Sequence, residues 1–153
     1  MASTTFSGPV TSTNGFIGNL AGNVTGNIAG VGSITHATTA AINATATATA
    51  AEVATGYITS TSAAVTAITL PTGTLLGAAL GAAQGTVFDL YIDNTAGASA
   101  VTVAVATNGI LSTAAADTPG SFGDLTVASG VTGVGRFTLM FSSATAYVFT
   151  RTA

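Results

Sequence analysis

Between residues 15 and 34 the chain repeats with a period of four: Gly18-Asn19-Leu20-Ala21, Gly22-Asn23-Val24-Thr25, Gly26-Asn27-Ile28-Ala29. A glycine at every fourth position costs a helix about 1 kcal/mol each relative to alanine, so extended backbone is expected. Alternate residues of a strand share a face. Phe16, Leu20, Val24 and Ile28 then line one face with glycines between them, and Asn19, Asn23, Thr25 and Asn27 line the other. A lone strand of this kind has no core in which to bury its aliphatics. Three copies wound about a common axis supply one, with Phe16, Leu20, Val24 and Ile28 on the trimer axis and the glycines admitting close approach of the backbones. A flexible Gly-rich linker has no need of regularly spaced large aliphatics. Residues 1–34 are therefore read as an extended N-terminal arm or stalk of intertwined trimeric β-structure.

Ahead of the repeat, Phe6, Pro9 and Val10 stand in a stretch punctuated by the turn pairs Gly8-Pro9 and Asn14-Gly15. This segment reads either as a docking arm anchored in a partner by Phe6, Pro9 and Val10 or as a disordered terminus. Residues 35–56 are a Thr/Ala connector of low complexity. Alanine favours helix and threonine favours strand, so propensity does not decide its form; an extended continuation of the stalk is expected. Its row of Thr45, Thr47 and Thr49 is too short for an ice-binding lattice. His36, with no second histidine in the chain, reads as a surface residue rather than a ligand.

From residue 57 the pattern changes. Candidate strands at 57–61, 65–70, 86–93, 100–106, 123–128, 135–142 and 146–152 alternate with turn signals. Phe88, Leu90 and Ile92 share one face, as do Val101, Val103 and Val105, and Phe137, Leu139 and Phe141. One short helix is expected at 75–83, capped by Thr74 and ended by glycine. Residues 57–153 thus read as an antiparallel β-sandwich, jelly-roll-like, and the whole chain as all-β.

Composition narrows the function. Two Lys/Arg and five Asp/Glu supply all the charge: Glu52, Asp89, Asp93, Asp117, Asp124, Arg136 and Arg151. At 5% charged residues the surface is dominated by hydroxyls and amides, as suits a chain that lives in an assembly; soluble domains average about 25%. Two arginines cannot make a nucleic-acid interface. Without cysteine there is no thiolate metal site or cysteine nucleophile. The mean hydropathy of +0.65 comes largely from alanine interleaved with polar residues, and no apolar run is long enough to span a membrane. The first residues lack the basic and apolar regions of a signal peptide, so synthesis in the cytoplasm is expected. There is no phosphate-binding loop. Asp89 and Asp93 share a strand face about 13 Å apart, too far for one cation. The loop between Asp117 and Asp124 reads as solvated rather than metal-binding. No catalytic residue, cofactor or metal is expected.

The opening Thr5-Phe-Ser-Gly-Pro-Val-Thr-Ser-Thr-Asn-Gly-Phe-Ile-Gly18 and the Gly-Asn repeat resemble the N-termini of virion structural proteins of tailed bacteriophages. Ile58-Thr-Ser-Thr-Ser-Ala-Ala-Val-Thr-Ala-Ile-Thr-Leu-Pro71, Gln84-Gly-Thr-Val-Phe-Asp-Leu-Tyr-Ile-Asp-Asn94 and Leu125-Thr-Val-Ala-Ser-Gly130 are similar to the same group. The resemblance implies a capsid decoration (cement) protein or short head fibre, commonly a homotrimer, whose partner is the major capsid protein and whose place is the outer surface of the virion. The alternative it leaves open is a receptor-binding head or tail fibre reading a host glycan. Sugar sites usually offer an exposed aromatic ring; the chain has no Trp and three tyrosines, Tyr57, Tyr91 and Tyr147.

Overall fold

The computed structural model describes residue 36, residues 39–111 and residues 125–152. All belong to one folded unit, Ile34–Ala153. The arm and repeat, with Phe6, Pro9, Val10, Phe16, Leu20, Val24 and Ile28, lie outside the described residues.

The order of elements is β1 (Ala40–Ala41), β2 (Ala46–Thr47), α1 (Ala50–Ala54), β3 (Tyr57–Thr59), β4 (Thr66–Thr69), α2 (Gly73–Leu80), β5 (Val87–Asp93), β6 (Val101–Ala104), β7 (Gly109–Leu111), β8 (Thr126–Val127), β9 (Val134–Ser143) and β10 (Ala146–Arg151). The strands form two mixed sheets. The larger has the order β1-β3-β5-β9-β10-β7 and the smaller β2-β4-β6-β8.

Successive strands from β1 to β6 alternate between the two sheets. Each pair makes one turn of a flattened coil, and the turns stack in parallel: Ala40 beside Ile58 beside Ile92 in one sheet, Ala46 beside Ile68 beside Val103 in the other. A parallel neighbour needs a crossover connection; here the strand in the opposite sheet provides it. The antiparallel β9–β10 hairpin pairs through β9 with β5, and β7 completes the larger sheet by pairing in parallel with β10. The jelly-roll-like, wholly antiparallel order expected from the sequence is thus replaced: among the described residues five strand pairings are parallel and three antiparallel.

The seven expected strands all appear, with ends shifted by a few residues. Three more, β1, β2 and β7, were not anticipated. Among the described residues there are two α-helices rather than one. Residues 40–56 are built into the fold, with Ala40, Ile42, Ala48 and Val53 in the core, where an extended connector was expected. The cause of α1 is local. Thr49 and Glu52 form a capping box, the Thr49 amide donating to Glu52 Oε2 at 2.7 Å and the Glu52 amide donating back to Thr49 Oγ1 at 3.2 Å. Helix α2 is capped by Thr72, not Thr74, and ends on Gly81 in the left-handed region. Its early start follows from packing: a Cβ on Gly73 or Gly77 would meet the carbonyl oxygens of Thr145 or Ala144, so the helix lies directly against the β9–β10 turn.

Both sheets feed one core. Ile58, Leu90, Ile92, Phe137, Leu139, Phe141, Tyr147 and Phe149 enter from the larger, and Ile68, Val101, Val103 and Val127 from the smaller. Phe137 and Phe149 stack with ring centroids 5.0 Å apart. Buried Asn94, just past β5, donates from Nδ2 to the carbonyls of Ser99 and Ala128, both at 2.9 Å, tying the approach to β6 to the end of β8. Arg151 Nη1 donates to the Thr126 carbonyl at 2.8 Å, joining β10 to β8.

Candidate functional site

The outer face of the larger sheet gathers most of the charge of the described residues. Along β5, Leu90 and Ile92 point into the core, so Asp89, Tyr91 and Asp93 point outward. Arg136 and Thr138 do the same on β9, and Tyr57 on β3. Register aligns them: Tyr57 is beside Tyr91, and Tyr91 beside Arg136, in one row across three strands.

The row is a stack. The Tyr57 and Tyr91 rings lie 6.5 Å apart and 25° from parallel. The Arg136 guanidinium sits 5.8 Å from the Tyr91 centroid, within cation–π reach. His36 caps the row, its ring 6.0 Å from each tyrosine, and Nδ1–H donates to the Thr55 carbonyl at 2.7 Å. Gly56 lies beneath the imidazole. It has φ +73, and a Cβ there would come within 2.4 Å of the histidine ring. Glycine is needed both for the backbone angle and for the seat.

Each charge on this face already has a partner. Arg136 forms an ion pair with Asp89, which also accepts from Thr138 Oγ1 at 2.7 Å. The hydroxyl of Thr138, ahead of the guanidinium of Arg136, holds the Asp89 carboxyl below its usual range. Asp93 accepts from the Thr95 hydroxyl at 2.6 Å, the Thr95 amide at 2.9 Å and the Tyr57 hydroxyl at 2.7 Å. These bonds lower its pKa, and the same contact raises that of Tyr57. Both carboxylates therefore stay ionised, and Tyr57 protonated, through neutral pH. The arrangement suits contact and orientation, with the two tyrosine rings set beside one another and beside His36 and Arg136.

Asp89 and Asp93 share a face as the sequence indicated, and Tyr91 stands between them. His36, read from sequence as an isolated surface residue, is instead the clasp of the aromatic row; nothing in its local pattern signals a partner on β5. Tyr147 is fully buried, its hydroxyl donating to the Pro71 carbonyl at 3.0 Å, and burial pushes its pKa up to about 12. The trimer-axis and anchoring residues, with Asp117 and Asp124, fall outside the described residues. Among the described residues no helix is long and apolar enough to cross a membrane. Comparison with protein-family models, curated proteins and solved structures found no match to this chain.

Proposed function

We propose that the chain is a structural component of a phage particle, a homotrimeric capsid decoration protein that binds the outer shell and stabilises capsomer junctions. The observation that carries this reading is a folded unit with its own core preceded in the sequence by a Gly-Asn-aliphatic repeat that spaces large aliphatics between glycines. Burial of the repeat in sister copies makes the trimer, and Phe6, Pro9 and Val10 grip the major capsid protein. The function is mechanical: interface area at capsomer junctions opposes internal pressure. Obligate interfaces of this type commonly bury about 2,000 Å² or more.

The rival reading, a fibre that recognises host glycan, needs an aromatic ring face free for a sugar. Tyr57 and Tyr91 are half-buried and turned toward each other, with Arg136 and His36 over them, which favours the decoration reading. Sedimentation of the purified full chain with emptied shells, and separately with host cells, tests the choice. Binding to shells alone is expected; binding to cells with none to shells overturns it.

A further inference from the structure

The buried polar side chains among the described residues gather along the edge where the chain crosses from the larger sheet to the smaller. They are Ser60 just past β3, Ser62 and Thr66 leading into β4, and Asn94 just past β5. Two of them are satisfied: Ser62 Oγ and Thr66 Oγ1 donate to the Ala64 carbonyl, at 2.9 and 3.1 Å. The other two are not. Ser60 is 1% exposed and Asn94 0%, and neither Ser60 Oγ nor Asn94 Oδ1 has a hydrogen-bond partner among the described residues. Such atoms are rare in folded proteins, because each forfeits the bond it made to solvent.

Register puts the two atoms together. Thr59 pairs in parallel with Asp93, and the Ser60 amide donates to the Asp93 carbonyl at 2.8 Å. Ser60 therefore stands beside Asn94 on strand ends about 4.8 Å apart. Each follows a core isoleucine, Ile58 or Ile92, by two residues and shares its inward face. The Asn94 amide cannot turn over, because Nδ2 faces the carbonyls of Ser99, Ala128 and Val127, and an oxygen there would meet three acceptors. Gly97 closes over Oδ1, where a Cβ would collide with it. The loop amides of Thr95, Gly97 and Ala98 are committed to Asp93 Oδ1, the Asn94 carbonyl and the Ser62 carbonyl.

These atoms define their ligand. Asn94 Oδ1 only accepts, so the ligand donates, while the Ser60 hydroxyl does either. The neighbouring carboxylate, Asp93, faces outward to Thr95 and Tyr57 and is not there to neutralise a cation. The ligand is thus neutral and small enough to sit between adjacent strands. We propose that Ser60 Oγ and Asn94 Oδ1 hold one structural water, which joins the ends of β3 and β5 on the core side of the larger sheet. Two polar partners are the least that a buried water requires. Its presence does not depend on how the chain assembles.

A crystal structure of the full chain is expected to show that water within hydrogen-bond distance of both atoms. A direct Ser60–Asn94 bond, or no water reaching both, overturns the site. In solution, oxygen-17 relaxation dispersion counts waters held inside a protein. Ser60→Val, whose methyl groups take the water's place, is expected to lose the equivalent of one water per chain. Thr61→Val, at the exposed neighbouring position, should lose none. An unchanged count in folded Ser60→Val, or the same loss in both variants, overturns the proposal. If circular dichroism shows that Ser60→Val does not fold, the crystal structure of the unaltered chain decides.

Discussion

Phe137, Leu139 and Phe141 alternate along β9 with Arg136, Thr138 and Met140, so one strand serves two environments. Inward, the residues are apolar, fully buried and interlocked with β10 and the smaller sheet. Outward, they are held by hydrogen bonds, one ion pair and stacked rings. The inner face fixes stability. The outer face contributes little to it and instead fixes where side chains stand.

Substitution should separate the two. Phe149→Ala on the inner face is expected to cost about 3–5 kcal/mol, read by urea denaturation. A small loss there would mean that the core is not shared between the sheets. Gly56→Ala ranks next at about 1–2 kcal/mol for the left-handed backbone, with a further loss from displacing His36. Combining it with His36→Ala should cost less than the sum of the two single changes; strict additivity would show that the imidazole does not rest on Gly56.

Tyr147→Phe removes one buried hydrogen bond and is expected to cost about 1 kcal/mol. Because burial raises the Tyr147 pKa, its contribution is complete below about pH 10 and is lost as pH rises through about 12. The phenylalanine variant should lose that alkaline sensitivity. The smallest effect is expected from Arg136→Ala, a change visible at low salt and suppressed at high salt. Asp89 and Asp93 have depressed folded pKa values. Their stabilisation is present above the ordinary carboxylate range and fades as pH falls through the folded values. Acid titration of Asp89→Asn with Asp93→Asn should therefore show a flatter profile than the parent.

Strand positions were legible because each strand buries one face. The alternation Leu90-Tyr91-Ile92 marks β5 whether its neighbours run parallel or antiparallel. Direction was not legible for the same reason. Parallel strands usually announce themselves by continuous apolar runs, since helices cover both faces; here the outer face is open, so β3 and β5 alternate as antiparallel strands do. Helix α1 did leave a signal, Thr49-Ala-Ala-Glu52 ahead of Val53, obscured by the surrounding Thr/Ala repeat. The α2 start depended on glycines meeting a turn some seventy residues later, and the His36 clasp on rings from two strands. Contacts of that range leave no local trace.

The account rests on association through the N-terminal repeat, and native mass spectrometry of the full chain at micromolar concentration tests it most directly. A mass of three chains is predicted, falling to one when Leu20, Val24 and Ile28 are all replaced by Asp while the circular-dichroism signature of the folded unit persists. A single-chain mass for the unaltered protein, or a trimer untouched by the triple change, would contradict it.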